Sequence, residues 1–336
     1  MPRNDKPDAS SCAATRLETI LVGSALDDAS DAVVRIAMQA ARAAGARLHV
    51  VHAVEIEPAE MVIDPMWLTG ELIAEVTEER RRKLAAQLAR LGAGAEVART
   101  SVVRGEAYRA LLDAAQVCEA DLVVVGAARS GGTFGRLLGS TADHLLRKAA
   151  WPLLVVRGEL VLPPARVLAP VDFEPLAVDA LLCGLRLLRQ TGGGAPAKLT
   201  ALHVLDPGAR PARRHRQVSP AELDAAEDAA QAAMASVAAG CRALEPVAVE
   251  PALRYGDPST QILAAAEETG ADLLLMGTHS RRPLDRLLLG SVAAQVVRQA
   301  RCSVLAVPPE AALGAAMAEA VVAATEPAFS SASPVG

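Results

Sequence analysis

Aromatic residues are scarce in this chain: three Phe, two Tyr and two Trp make up 2% of its 336 residues. Ala, Leu and Val must therefore fill the core. The hydrophobic share of 51% indicates a folded chain rather than a disordered one. The formal net charge is −5, which provides no general attraction to nucleic acid or to an anionic membrane. We therefore expect no nucleic-acid partner and no membrane partner.

Cysteines are few and far apart, and none forms a C-x-x-C pair. This spacing favours neither a disulfide scaffold nor a zinc site and is typical of a reducing compartment. Long apolar runs are also missing, because no stretch reaches the roughly 18 residues of a membrane helix. The first sixteen residues are polar and lack a secretory signal. These absences predict a soluble, cytoplasmic protein. The five cysteines are Cys12, Cys118, Cys183, Cys241 and Cys302.

Motifs of several enzyme classes are absent from the sequence. It contains no G-x-x-x-x-G-K-(S/T), no G-x-G-x-x-G after a first strand and no G-x-S-x-G. The six histidines do not have the spacing of metal ligands. We therefore expect no catalytic residues and no metal site.

The chain contains an internal duplication. Residues 120–126 (ADLVVVG) return as residues 271–277 (ADLLLMG), 151 positions later, and Gly139 returns as Gly290 at the same offset. Near the start of the chain the offset is 147, so the second copy has four extra residues, which we assign to the turn at 192–196. A period this long indicates a duplicated domain.

Each copy alternates short apolar runs with segments of helical periodicity. Runs that are apolar at nearly every position are typical of parallel strands covered by helices on both faces. In one connecting segment the apolar positions from Val33 to Ala44 follow a helical period, and Gly45 stands where a C-cap is expected. The fold class is therefore α/β, with two tandem Rossmann-like domains, each a mostly parallel five-stranded sheet flanked by helices. The predicted strands are 20–22, 48–54, 97–103, 122–126 and 153–156, then 167–171, 199–205, 247–253, 273–276 and 304–307.

The same pattern divides the chain into segments. Residues 17–157 form the first domain (repeat 1) and residues 166–309 the second (repeat 2). Residues 158–165 form a linker, which contains two consecutive prolines. We expect a disordered N-terminus at 1–16 and a loosely ordered, Ala-rich tail at 310–336.

The loop after the fourth strand of repeat 2 is the candidate binding site. Open parallel sheets bind ligands beyond the carboxyl ends of their strands. The loop starts at Gly277 and leads to a Gly290-Ser291 pair that opens the next helix. Free backbone N–H groups and the positive end of the helix dipole favour an anion there. The residues therefore predict a phosphate-binding loop.

Residues 273–307 resemble the C-terminal half of a universal stress protein domain, through GTHSRRPLDRLLLGSVA and then CSVLAV. Residues 167–172 and 202–204 are similar to that family's first and second strands. Repeat 1 matches more loosely, through its Val125-Gly126, RLLGS and PLLVV segments. The resemblance implies a tandem two-domain member with an adenine-nucleotide-hydrolase-like fold. It further implies a stress-response regulator that binds ATP, with or without Mg²⁺, and performs at most slow hydrolysis.

The resemblance also implies the site residues, and it assigns most of them to repeat 2. There Ser280 takes the place of the middle glycine of the family's loop. In repeat 1 that place is held by Arg129, and Ala25 stands where the family has an aspartate. A shifted register would be needed to bring Asp27 or Asp28 into that role, so repeat 1 is interpreted as the degenerate half. The candidates are Pro170, Asp172, Val204, Met276, Gly277, Ser280, Gly290, Ser291 and Val292, with Gly126, Gly139 and Ser140 as secondary candidates in repeat 1.

Alternatives remain open at this stage. One is a nucleotide-free tandem scaffold, and a more distant one is an adenylyl-transferring enzyme of related fold. The resemblance implies pairing through the final strand of each domain, so strands 153–156 and 304–307 are expected to pair within one chain as an intramolecular pseudo-dimer. A homodimer and an unidentified protein partner are also open. His52 and His203 lie within apolar strands and are interpreted as hydrogen-bonded core histidines.

Overall fold

The structure is a computed structural model. It describes residues 16–55, 70–127, 138–192, 194, 196–206, 220–244, 247–278 and 289–311. Most of the predicted N-terminal segment and tail, and the loop positions Arg129 and Ser280, lie outside these residues.

The described residues form ten strands and eight α-helices that alternate along the chain, as the sequence predicts. All ten predicted strands are present, with bounds that differ by at most two residues. Repeat 1 contains β1 (Thr19–Gly23), α1 (Asp28–Ala44), β2 (Arg47–Val54), α2 (Gly70–Arg90), β3 (Val97–Arg104), α3 (Ala107–Val117), β4 (Leu122–Gly126), α4 (Ser140–Lys148) and β5 (Leu153–Val156). Repeat 2 contains β6 (Arg166–Pro170), α5 (Pro175–Gly192), β7 (Lys198–Leu205), α6 (Pro220–Leu244), β8 (Val249–Tyr255), α7 (Pro258–Thr269), β9 (Leu273–Gly277), α8 (Ser291–Gln299) and β10 (Ser303–Val307).

Local sequence accounts for the ends of the first helix. The Asp27 side chain accepts a hydrogen bond from the Ser30 amide, and the Ser30 hydroxyl closes a capping box. At the other end Gly45 has a φ of 63°, which confirms the predicted C-cap. Three of the four extra residues of repeat 2 lie between α5 and β7, which residues 193–197 separate, whereas two residues separate α1 from β2. The fourth lengthens the helix, since α5 has 18 residues and α1 has 17.

The ten strands form a single sheet in the order β3-β2-β1-β4-β5-β10-β9-β6-β7-β8. All neighbours are parallel except β5 and β10, which run antiparallel with Val304 opposite Val155 and Leu305 opposite Leu154. The predicted pairing of these two strands within one chain is therefore confirmed. It joins the repeats and leaves neither strand with a free edge.

Helices cover both faces of this sheet, and each face has one apolar layer that runs through both repeats. One layer contains α1, α2, α5 and α6, and the other contains α3, α4, α7 and α8. Successive residues of the central strands alternate between the two layers: Leu154 belongs to the first and Val155 to the second. This two-sided burial explains why the strands are apolar at nearly every position. None of the described helices combines the length and the apolar character needed to cross a bilayer.

Repeat 1 contains a buried polar network that was not predicted from the sequence. The Ser24 hydroxyl donates to Gln87 Oε1 at 2.7 Å, and Gln87 Nε2 donates to Asp31 Oδ1 at 2.7 Å and to Ser30 Oγ at 3.1 Å. Arg90 completes the network with a two-nitrogen ion pair to Asp31. The positions of repeat 2 that match Ser24, Ser30 and Asp31 are apolar: Val171, Ala177 and Val178.

Candidate functional site

The candidate site of repeat 2 lies where the strand order reverses. The chain leaves β6 toward β7 on one side and β9 toward β10 on the other. Strands β6 and β9 pair only at Val167 with Leu273 and at Leu168 with Leu274. Both strands continue beyond these pairs toward their carboxyl ends. A crevice between the carboxyl ends of the central strands is the usual ligand position in open α/β sheets.

The turn after β6 presents a carboxylate at this edge. Asp172 is exposed, and its Oδ1 accepts a hydrogen bond from the Glu174 amide at 3.1 Å. Pro170, the last residue of β6, is partly buried. The oxygen of Asp172 that the turn does not use can accept a hydrogen bond from a ligand hydroxyl.

The loop after β9 is closed by backbone hydrogen bonds. The Thr278 amide donates to the Val307 carbonyl at 3.1 Å, and the Gly290 amide donates to the Thr278 carbonyl at 2.8 Å. This second bond holds the start of α8 against the end of β9. Gly290 is the N-cap of α8 and provides no side-chain cap, and Ser291 at the first helical position is exposed. The first amides of a helix have no acceptor within the helix, so an anion can accept hydrogen bonds from those of α8.

Gly277, predicted from the sequence to approach a bound anion, has a packing role in the structure. A Cβ atom at this position would lie 3.3 Å from the Cβ of Ala180 on α5, so the absence of a side chain allows α5 to approach β9 closely. The glycine at the strand end therefore has a structural reason that does not depend on a ligand.

The apolar candidates surround the same strand ends. Met276 is buried, whereas Val204 on β7 and Val292 on α8 are partly exposed. Ser280 lies in the segment 279–288, outside the described residues.

Repeat 1 has the same backbone arrangement without the carboxylate. The Gly139 amide donates to the Ala127 carbonyl at 2.6 Å, which closes the loop between Gly126 and Ser140 as in repeat 2. Ala25 stands in place of Asp172. Asp27 caps α1 by accepting from the Ser30 amide at 2.8 Å, so its side chain is used by the helix.

The start of α4 also carries a negative charge that α8 lacks. Asp143 lies in the first turn of α4, whereas α8 has no acidic residue there. Burial opposes ionisation of Asp143, but hydrogen bonds from Arg147 and from Arg298 of repeat 2 hold its pKa below the usual value. A fixed carboxylate near a helix N-terminus competes with a bound anion, which agrees with the interpretation of repeat 1 as the degenerate half.

The two strand histidines are hydrogen-bonded core residues, as predicted. His203 Nδ1 lies 2.7 Å from the Val171 carbonyl oxygen, and His52 Nδ1 lies 2.8 Å from that of Ser24. Burial lowers the pKa of His203, although its bond to Val171 and the charge of Asp172 act in the opposite direction. The ring is therefore neutral at pH 7.

Phe173 is the residue of the candidate site that sequence reasoning missed. Its ring centroid lies 4.2 Å from that of His203, and its φ is 62°. Only the position of Phe173 next to Asp172 could have drawn attention to it, because His203 lies 30 positions later in the chain and only tertiary structure brings the two rings together. The ring is 8% exposed, so it supports the turn from inside and offers little surface to a base.

The cysteines depart from the sequence expectation at one position. Cys183 is disulfide-bonded. Cys118, Cys241 and Cys302 are free thiols, and burial raises the pKa of each, to about 12 for Cys241. The described part of the chain holds no group of three His, Cys, Asp or Glu residues arranged to bind a metal ion.

Comparisons with known proteins agree with this architecture. The universal stress protein family matches residues 16–157 and again residues 165–308. A universal stress protein of Mycolicibacterium smegmatis is 30% identical over 309 residues, which cover 86% of this chain and 97% of that protein. One of Mycobacterium tuberculosis is 27% identical over 299 residues, covering 85% and 95%.

A solved structure supports the same fold. The crystal structure of a universal stress protein from Archaeoglobus fulgidus aligns with a TM-score of 0.56 at 20% identity and covers 87% of this chain and 96% of its own. Since the family matches both halves and the relatives match along nearly their whole length, the chain belongs to the universal stress protein family, as a tandem two-domain stress-response protein.

Proposed function

We propose that this protein binds an adenine nucleotide, ATP, mainly in repeat 2, and that it acts as a regulator rather than as a catalyst. The observation that carries the proposal is the start of α8, where the N-cap Gly290 has no side chain to cap the helix and its hydrogen bond to Thr278 holds the helix at the end of β9. The exposed carboxylate of Asp172 follows the neighbouring strand β6. An anion-binding helix start beside a free carboxylate suits a ligand with a phosphate at one end and hydroxyl groups further along.

The residues divide the nucleotide between them. The amides at Gly290 and Ser291, with the hydroxyl of Ser291, would hold phosphate oxygens. Asp172 would accept hydrogen bonds from the ribose, and the backbone of Val204 would meet the adenine. Pro170, Met276 and Val292 would form apolar walls, and Mg²⁺ would enter with the phosphates. A protein partner would then respond to the nucleotide-dependent surface.

Replacement of Asp172 by Ala tests this assignment. Hydrogen bonds to a charged group contribute about 1.5–3 kcal/mol, so we expect D172A to weaken ATP binding at least tenfold, measured by isothermal titration calorimetry with Mg²⁺. Asp28→Ala is the matched control, because it removes an exposed carboxylate from the corresponding part of repeat 1. A larger loss of affinity in D28A than in D172A would show that the site belongs to repeat 1.

A nucleotide-free scaffold is the second candidate, and two observations favour it. The packing of α5 accounts for Gly277 without a ligand, and Arg129 and Ser280 replace the middle glycine of both loops. A ligand that binds only the folded protein must raise its stability, by roughly 2.7 kcal/mol at one hundred times its Kd. Failure of millimolar ATP to raise the melting temperature would therefore favour the scaffold.

A further inference from the structure

We infer that His203 is a positioning residue for Asp172. His203 fixes the turn after β6, and this turn presents the Asp172 carboxylate to the nucleotide. The inference rests on the proposed function, since it assigns to His203 a share of the nucleotide affinity of repeat 2.

One imidazole ring contacts both chain neighbours of Asp172. His203 lies on β7, next to β6 in the sheet. Its Nδ1 is 2.7 Å from the carbonyl oxygen of Val171, the residue before Asp172. Its ring centroid is 4.2 Å from that of Phe173, the residue after Asp172. The aspartate is thus held from both sides by a side chain of the neighbouring strand.

The hydrogen bond defines the tautomer of His203. A carbonyl oxygen can only accept, so Nδ1 must carry the hydrogen and donate it. Burial keeps the ring neutral, which leaves Nε2 without a hydrogen. The contact to Val171 is therefore a directed hydrogen bond, and its loss would release the carbonyl next to Asp172.

The turn needs such support because its backbone is unfavourable. Phe173 has a φ of 62°, in the left-handed region that residues with a side chain seldom occupy. The packing of its ring against His203 stabilises this conformation. It also keeps the Glu174 amide in place to donate to Asp172 Oδ1 at 3.1 Å. One oxygen of Asp172 is thus held, and the direction of the carboxylate is set.

Repeat 1 contains the matching histidine bond and the matching turn, with Leu26 in place of the aromatic ring of Phe173 and without the carboxylate. His52 Nδ1 lies 2.8 Å from the Ser24 carbonyl oxygen, and Leu26, the counterpart of Phe173, has a φ of 60°. Ala25 lies between Ser24 and Leu26, at the position where repeat 2 has Asp172. The His52 arrangement therefore supports the fold alone, which makes it an internal control for the role of His203.

The test combines substitutions at the two histidines with ATP titration. His203→Leu removes the donor and keeps an apolar side chain of similar size. His203→Asn keeps a donor close to the position of Nδ1, whereas His203→Gln moves it away. We expect H203L and H203Q to weaken ATP binding about tenfold and H203N to retain most of the affinity. His52→Leu should lower stability as H203L does and change the ATP affinity less than twofold.

A double substitution separates positioning from a general effect on the fold. If His203 acts through Asp172, H203L will change the ATP affinity of the D172A protein no further. Equal losses in both backgrounds, equal losses in H203L and H52L, or wild-type affinity in H203L would each overturn the inference. If H203L does not fold, the comparison of H203N with H203Q decides in its place.

Amide hydrogen exchange tests whether His203 holds the turn, and it needs no nucleotide. The Glu174 amide donates to Asp172 in the intact turn, so we expect faster exchange at Glu174 in H203L and H203Q and near-normal exchange in H203N. A wild-type protein that does not bind ATP would refute the proposed function. Unchanged exchange at Glu174 in H203L and H203Q would refute the positioning role, whether or not ATP binds.

Discussion

Single glycines determine how closely helix α5 approaches the sheet. A Cβ at Gly184 would lie 2.1 Å from Cδ1 of Leu275 on β9, and one at Gly277 would lie 3.3 Å from Ala180. Gly184 lies on α5 and Gly277 on β9, so each element of this contact has a position without a side chain. Close packing here places the end of β9, and with it the candidate site, at a defined distance from α5.

Gly184→Ala is expected to destabilise the protein. Alanine favours a helix over glycine by about 1 kcal/mol, but overpacking of a buried contact costs about 1–3 kcal/mol. Since Leu275 is buried, we expect a net loss of about 1 kcal/mol in the free energy of urea unfolding. Gly70→Ala is the control, because a Cβ there meets no atom within 4 Å. Equal stability of both variants would contradict the close contact at Leu275.

Helices α1 and α5 occupy matching positions in the two repeats, but different interactions hold them in place. Helix α1 is joined to α2 by the polar network of Ser24, Asp31, Gln87 and Arg90. The counterpart α5 places Val178 where α1 has Asp31, and Val178 packs in the apolar layer on that face of the sheet. At the same helix position, Asp31 therefore gives repeat 1 a stabilisation that depends on pH, whereas Val178 stabilises repeat 2 by apolar burial.

This difference predicts an acid-sensitive repeat 1. The hydrogen bond from Arg90 lowers the pKa of Asp31, and the bond from Gln87 adds to the effect while burial opposes it. A pKa below the unfolded value of about 3.9 means that the stabilisation is present above that pH and is lost as the pH falls through the folded pKa. We expect Asp31→Asn to lower stability at pH 7 and to flatten the decrease in urea midpoint below about pH 4.

The control for this prediction is Asp28→Asn, at an exposed carboxylate of the same helix turn. It should leave the acid dependence close to that of the wild type. Identical pH profiles for D31N and the wild type would show that the network contributes nothing to acid sensitivity.

At the scale of the whole molecule, the duplication acts as a dimer built into one chain. The antiparallel β5–β10 pair joins the repeats, and further contacts cross the same boundary. Arg298 of repeat 2 donates to Asp143 of repeat 1 at 2.8 Å. Arg157 donates to the carbonyl of Val297 at the end of α8 at 3.0 Å. The apolar layers continue through the boundary, so the two repeats share one core.

Separation of the repeats is expected to create a dimer. A chain of residues 158–336 keeps β10 but loses β5, and the five residues of β10 are all buried in the full protein. An exposed apolar edge strand pairs readily with another copy. We expect this fragment to elute as a dimer in size-exclusion chromatography with light scattering. A stable monomer would contradict the expected pairing through β10. Val304→Lys should weaken the dimer, because it places a charge in the pairing strand.

Much of this architecture could be predicted from the sequence because it depends on local patterns. Apolar runs identify the ten strands, the helical period and Gly45 identify α1 and its end, and the 151-residue offset identifies the duplication. Pairing of β5 with β10 was implied by the resemblance to the family, together with the duplication, and the sheet confirms it. Asp172 was identified by its place after an apolar strand together with the resemblance to the family.

Only the tertiary structure decided which side chains meet. Nothing in the sequence pattern shows that Gln87 contacts Asp31, 56 positions earlier, or that His203 contacts both neighbours of Asp172, because these contacts join elements that periodicity treats separately. Periodicity records which face of an element is buried, whereas a hydrogen bond depends on the position of two elements to within a few tenths of an ångström. The sequence alone thus determined the order of elements and their duplication, and tertiary packing decided the network of repeat 1 and the support of the Asp172 turn.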